Sequence, residues 1–253
     1  MGKKSGSNRL KRQIMPVFWQ VPRKAYRFAL RPIGGPHPIN RCYPLGILLR
    51  DVLRVVKSMR EAEKILHNGY VYVDGVKRFD VHFPLGLMDV VELQPLKKVY
   101  RLVPRDGFIL KPIEIVEKEG GGGEEEKERG MKICKVINKS TVKGGKIQYT
   151  LHDGRNILVD GSSSSKLDGI AVNDSILIRI PEQEVRDVVK MEKDTLALII
   201  AGENAGTIGR VIEVKKGTIT LPKRVVLESD AKRLEIPIDI VMAIGRERPL
   251  LNI

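Results

Sequence analysis

The hydrophobic positions along this chain change period several times, and the changes divide it into units. From Leu45 to about Val56, the residues Leu45, Leu49, Val52, Leu53 and Val56 recur three or four apart, which predicts the buried face of a helix. Arg50, Arg54 and Lys57 share that spacing on another face, so the helix has an apolar side and a cationic side. Ser58-Met59-Arg60-Glu61 then has the spacing of a capping box, in which a hydroxyl and a carboxylate satisfy backbone N–H groups at a helix start. A second helix is predicted to about His67, with Asn68-Gly69 as its stop. The period next falls to two. Tyr70–Val73 and Val76–Phe79 flank Asp74-Gly75, a strong short-range hairpin signal.

Alternation continues beyond the hairpin. The run 83–93 leads into a further strand, and Val99–Val103 and Phe108–Ile115 predict two more around an Asp106-Gly107 turn. Residues 117–130 carry four consecutive glycines and a Glu-rich run, and read as a linker or loop insertion. A second β unit follows. Its predicted strands are Ile133–Ile137, Ile147–Leu151, Asn156–Val159, Ile176–Ile180 and Val185–Val189, separated by Gly144-Gly145, Asp153-Gly154 and a polar loop at Ser162–Ser165. Short strands between glycine turns predict a meander closing into a small barrel. The third unit has strands expected at Leu196–Ile200, Arg210–Val214 and Thr218–Leu221.

Charge sharpens the division. The chain has 253 residues and a formal net charge of +14. Residues 1–60 hold 14 Lys/Arg and one acidic residue, Asp51, so nearly all of the excess lies in the first quarter. Charge of one sign, concentrated in this way, selects a polyanionic partner, nucleic acid first and an anionic membrane second. No apolar run reaches transmembrane length, and the basic N-terminus is not followed by the apolar stretch of a signal peptide. Cys42 and Cys134 have neither zinc-ligand spacing nor a disulfide framework, which is compatible with a reducing cytoplasm.

The first 42 residues refine the choice of polyanion. Residues 1–12 lack periodicity and are expected to order only against a partner. From Gln13 to Arg41, five prolines and Gly34-Gly35 predict an extended, irregular arm. Phe18, Trp19, Tyr26 and Phe28 alternate there with Arg23, Lys24, Arg27 and Arg31. Aromatic faces for stacking and cations for phosphates suit RNA. For Phe18 and Trp19, anchoring of the arm on its own domain is an equal alternative. The RNA-binding set is then Lys3, Lys4, Arg9, Lys11, Arg12, Trp19, Arg23, Lys24, Arg27, Arg31, His37, Arg41, Arg50, Arg54, Lys57, Arg60, Lys77 and Arg78. Local packing is as good an account of His37 as an RNA contact.

Other chemistry finds little support. Gly202, Gly206 and Gly209 follow a strand, but a β-like run succeeds them where a dinucleotide site needs a helix, so a structural role is expected. His37, His67, His82 and His152 have no second ligand at metal spacing. No nucleophile elbow or Cys/His pair appears, so neither catalytic residues, a metal nor a cofactor is assigned.

The helix–helix–hairpin with Arg50-Asp51, Ala62, Gly69 and Val73-Asp74-Gly75 resembles the S-four RNA-binding fold. Leu10-Lys11-Arg12, Pro16, Trp19, Gly35-Pro36-His37, Pro44-Leu45 and Pro84–Val90 extend the likeness. So do Cys134-Lys135-Val136, His152–Asn156 and Gly202–Gly206. In this order they resemble the archaeal and eukaryotic S-four-e family of small-subunit ribosomal proteins. Residues 202–214 also look like the KOW motif, a strand–loop–strand piece of an SH3-like barrel. The chain departs from the family at Arg9, at Ala201-Gly202 and in the 120–130 insertion. The absence of a long C-terminal extension resembles the archaeal form.

The resemblance implies a multidomain α+β protein with a small helix–helix–hairpin RNA-binding fold followed by two small β-barrel-like units, the last SH3-like. Its divisions are an arm at 1–42, the RNA-binding domain at 43–116, a linker at 117–130, a central β domain at 131–192 and the KOW domain with the C-terminal segment at 193–253. It implies a structural constituent of the small ribosomal subunit in the cytoplasm, without enzymatic activity. The partners are ribosomal RNA and neighbouring ribosomal proteins, with no membrane and no small-molecule substrate. A free RNA-binding regulator or elongation-type factor is the alternative.

Overall fold

The computed structural model describes residues 9–22, 24–115, 130–159, 169–229 and 232–253. Among the described residues it is an α+β molecule, with three five-stranded sheets, two small strand pairs and few helices. The linker at 117–129 and the Ser162–Ser165 loop lie outside the described residues.

In the arm, β1 (Leu10–Lys11) pairs antiparallel with β2 (Phe28–Ala29). Strand alternation turns Leu10 into the core and leaves Lys11 in solvent. Residues 9–12 are therefore held by the chain itself, against the expectation that they order only on a partner. Residues 1–8 lie outside the described residues. Next come β3 (Tyr43–Pro44) and α1, an α-turn at Leu45–Ile47 that widens into a π-helical turn over Leu48–Val52. The widening, with Leu53 N–H donating to the Leu48 carbonyl at 2.8 Å, lets Leu48 and Leu49 both point inward. The helix stops at Val52, short of the expected Val56. Arg54 adopts a positive φ of 55°, and the β-branched Val52, Val55 and Val56 favour leaving the helix. Arg54 and Lys57 are thus not on a helical face with Arg50.

The second helix, α2 (Met59–His67), starts and stops as expected. Ser58 Oγ accepts from Glu61 N–H at 3.2 Å, and the Glu61 carboxylate caps the N–H of Lys57, one residue earlier than a standard box. Strands β4 (Val71–Val73) and β5 (Val76–Lys77) form the hairpin, with Asp74 and Gly75 both at positive φ. β6 (Pro84–Leu85) pairs with β3. β7 (Val90–Leu93), β8 (Lys98–Arg105) and β9 (Phe108–Glu114) complete a sheet of order β5-β4-β7-β8-β9. Leu45, Leu48, Leu49, Ala62 and Leu66 from the helices pack on Val71, Val91, Leu93 and Leu102, and Trp19 and Val21 of the arm join the same core.

The central sheet comprises β10 (Met131–Thr141), β11 (Ile147–Leu151), β12 (Asn156–Val159), β13 (Ser175–Arg179) and β14 (Glu184–Val189), in order β12-β11-β10-β13-β14. It is not a simple meander, because β13 returns to the free edge of β10. A register shift between Val136 and Asn138 divides β10 between its two partners.

The last sheet comprises β15 (Leu196–Ile199), β16 (Ile208–Lys215), β17 (Arg224–Ser229), β18 (Lys232–Pro237) and β19 (Val241–Gly245), in order β18-β17-β16-β15-β19. The strand expected at Thr218–Leu221 is instead a loop. Thr218 N–H donates to the Leu221 carbonyl, Leu221 N–H donates to Thr218 Oγ1, and proline follows at 222. The glycine loop after β15 is structural. A Cβ on Gly206 (φ 91°) would fall 2.3 Å from Arg105 Cα, while Gly107 N–H donates to the Ala205 carbonyl at 2.9 Å. The loop is thereby docked on the β8–β9 turn. An apolar cluster joins all three sheets, through Met88 and Val103, Ile133 and Leu177, and Leu198, Met242 and Ile244. The units share this cluster, and each also keeps a core of its own. Among the described residues no helix is long and apolar enough to cross a membrane.

Candidate nucleic-acid interface

The β1–β2 pairing shapes the arm into a cationic groove. Lys11, Arg12, Gln13, Lys24, Tyr26 and Arg27 line a cavity of about 530 Å³. Arg12 is fixed from behind, donating to the Val21 carbonyl at 2.8 Å and the Pro22 carbonyl at 3.2 Å. Lys11, Lys24 and Arg27 project into solvent. Phe28 is exposed, with the guanidinium groups of Arg27 and Arg9 at 5.6 and 5.8 Å from its ring centroid. Tyr26 is also exposed, and Arg50 lies 4.5 Å from its centroid. Arg50 is held there by a bidentate pair with Asp51, Nε–Oδ1 at 3.1 Å and Nη2–Oδ2 at 2.9 Å. The groove thus has cations for phosphates and flat faces for bases.

The expected RNA-binding residues divide by placement. Arg9, Lys11, Lys24, Arg27, Arg31, Arg41, Arg54, Lys57, Arg60 and Lys77 are exposed, and Arg12, Arg50 and Arg78 are half-buried. Lys3, Lys4 and Arg23 lie outside the described residues. Two residues are corrected. Trp19 is buried and its Nε1–H donates to the Cys42 carbonyl at 2.7 Å, so the ring anchors the arm and presents no face for stacking. His37 is buried against Asp89, with Nε2 3.1 Å from Oδ2, so local packing accounts for it. Tyr70 and Phe79, which read in sequence only as strand residues, are exposed aromatics that flank the β4–β5 hairpin. Their signal was an aromatic at each end of a short basic hairpin.

A second group of cations has the opposite setting. Lys132, on β10, is buried between three carboxylates, 2.8 Å from Asp74, 3.2 Å from Asp153 and in a short contact of 2.5 Å with Asp89. Arg155 Nη2 donates to Asp74 at 2.8 Å. The joint ties the hairpin turn (Asp74), the turn before β7 (Asp89), the arm (His37) and the central sheet. Burial alone would lower the Lys132 pKa, but Asp89, Asp74 and Asp153 hold it well above its ordinary value. Burial would raise Asp89, but Lys132 and His37 hold it well below the usual carboxylate range. Asp153 is likewise held down against burial, by Lys132 first. Burial pushes His152 down to about 4; its Nδ1 accepts from Lys135 N–H and its Nε2 faces the Leu87 carbonyl at 3.1 Å.

A further tie comes from Lys135. Its ammonium donates to the carbonyls of Ile238, Asp239 and Val241 at 2.7, 3.0 and 2.8 Å, fastening the central sheet to the last one. Both cysteines are free and buried, and burial pushes the Cys42 thiol up to about 12. In sequence, Asp74 and Asp153 read as turn residues, and Lys132 lies just ahead of the strand expected at Ile133–Ile137. Nothing local marks their meeting.

Known proteins resemble the chain over its whole length. The model of the ribosomal family S4e matches residues 96–185, and that of the RS4NT (NUC023) domain matches residues 4–40. The small ribosomal subunit protein eS4 of Methanocaldococcus jannaschii is 38% identical over all of both chains. That of Staphylothermus marinus is 36% identical over all of this chain and 98% of its own. The crystal structure of the 30S ribosomal protein S4e from Thermoplasma acidophilum superposes with a TM-score of 0.65 at 28% identity, covering 82% of this chain and 96% of its own.

Proposed function

The chain belongs to the S4e family of ribosomal proteins, and from that premise we infer that it is a structural constituent of the small ribosomal subunit, binding ribosomal RNA. Its place is on the ribosome, beside other ribosomal proteins, and its role has no catalytic step. The observation that carries the RNA-binding reading is the arm groove, where Lys11, Arg12, Lys24 and Arg27 surround Tyr26 and, among the described residues, no acidic side chain joins the lining.

In this reading the exposed arm, the α1–α2 segment and the β4–β5 hairpin form one RNA-facing surface, and residues 43–116 act as an S-four-like RNA-binding domain. The central sheet (131–192) and an SH3-like last unit (193–253) hold that surface in place and meet neighbouring proteins. Phosphate contacts from Lys11, Lys24, Arg27, Arg54, Lys57, Arg60 and Lys77 position the protein, and exposed Tyr26 and Phe28 stack on unpaired bases. Cofractionation tests the reading. Stoichiometric retention on small subunits through a high-salt wash is expected. Release into the free pool would favour a regulator or elongation-type factor built from the same parts.

A further inference from the structure

Between the hairpin and the central sheet lies a cleft of about 480 Å³, outside the arm groove, with the buried joint as its floor. Arg78 lines it. Its guanidinium sits 4.2 Å from the Phe83 ring centroid, and its Nε is buried with no hydrogen-bond partner. Arg155 lines it too, and its buried Nη1 also has no hydrogen-bond partner, with Asp153 Oδ2 3.5 Å away. Leaving such donors without an acceptor is costly. The carboxylates on the floor already accept from other donors, and Asp153 reaches Arg155 Nη1 as an ion pair without forming a hydrogen bond to it. Asp74 Oδ1 accepts from Val90 N–H and Oδ2 from Lys132 and Arg155, while Asp89 accepts from Gly86 N–H, His37 and Lys132.

We propose that this cleft receives one unpaired nucleobase of the RNA, stacked against Arg78 and hydrogen-bonded through its acceptor edge. Charge selects a base over a phosphate. Lys132, Arg155 and Arg78 are matched by Asp74, Asp89 and Asp153, so a phosphate would bring net negative charge beside three carboxylates. A base brings acceptors without charge and a ring that can lie on a guanidinium plane. Guanine is the favoured base, since its O6 and N7 match the paired N–H groups of an arginine. The cleft has the size of a small-molecule pocket, which admits a single splayed-out nucleotide and not a duplex. Exposed Lys77 and Phe79 flank Arg78 in the chain and lie ready for the neighbouring phosphate and base.

The inference rests on the RNA-binding reading above, and footprinting separates the two. The full chain is bound to small-subunit ribosomal RNA transcribed in vitro. Hydroxyl-radical cleavage then reports the backbone, and dimethyl sulfate reports guanine N7. The wild type is expected to protect an unpaired guanine. Arg78→Gln and Arg78→Lys are expected to restore its reactivity by about fivefold or more while the backbone footprint persists. Arg78→Lys keeps the charge but loses the flat stack, so its agreement with Arg78→Gln excludes a plain charge effect. A wild-type backbone footprint with no protected guanine overturns the proposal whether or not the variants fold, as does protection that survives both substitutions. Absence of any backbone footprint overturns the RNA-binding reading itself.

Discussion

The arm groove and the buried joint are both built from lysine and arginine, and they use charge in opposite ways. In the groove, Lys11, Lys24 and Arg27 are exposed, and among the described residues no carboxylate lines the cavity with them. In the joint, Lys132 is sunk among Asp74, Asp89 and Asp153 and holds three segments of chain together. The difference teaches that a cation's role is set by where its counter-charge comes from. Where the chain supplies the carboxylates, the cation is an internal fastener. Where it supplies none, the counter-charge has to be brought by the partner. Arg50 stands between, since Asp51 satisfies it while Tyr26 offers its ring to solvent.

Removing the fastener is expected to have the largest effect. Lys132→Met removes the cation that three buried carboxylates share and should cost about 3–5 kcal/mol. Denaturant unfolding measures the loss. Under conditions where the variant is folded, the salt dependence of its RNA binding, which the arm groove sets, should stay that of wild type. An unchanged midpoint would remove the joint from the account.

Acid separates the regions next. His152 is held below its unfolded value, so the folded protein binds fewer protons than the unfolded chain between about pH 6.5 and 4. Stability should therefore fall as pH drops through that window, by on the order of 2 kcal/mol. Asp89 and Asp153 are also depressed, so their contribution is present above about pH 4 and is lost below it. Chemical denaturation from pH 7 to 4 should show declining stability, with RNA binding retained until the fold fails. A flat profile would contradict the buried placement of His152.

Arg54→Gly should have the smallest effect. Relief of a positive φ of 55° should raise stability by about 0.5–1 kcal/mol, while one lost phosphate contact weakens RNA binding only a fewfold. A lower melting temperature would show that the Arg54 side chain contributes more through packing than its backbone costs.

These contrasts also show what could be read without coordinates. The α2 cap at Ser58, the Asp74-Gly75 and Asp106-Gly107 turns and most strands follow from local chemistry, and the structure places them where periodicity predicted. The α1 end was misjudged because periodicity continues to Val56 while the backbone leaves the helix at Val52. Arm cations were legible because no acidic residue precedes Asp51. Trp19 and His37 were not, since an aromatic in a basic segment looks the same whether it faces RNA or Cys42. The joint was invisible for a related reason. Asp74 and Lys132 are 58 residues apart and meet only through the docking of two sheets.

The central claim is that the exposed groove holds RNA and the buried joint holds the protein. The most direct test is the salt dependence of binding to a small-subunit RNA fragment, for wild type and for the Lys11→Gln/Arg27→Gln double variant. If about six phosphates are neutralised, log affinity should fall against log salt with a slope of roughly −4 to −5. The double variant should lose about 1.4–1.8 from the magnitude of that slope with no change in melting temperature. An unchanged slope, or a loss of slope accompanied by loss of stability, would contradict the account.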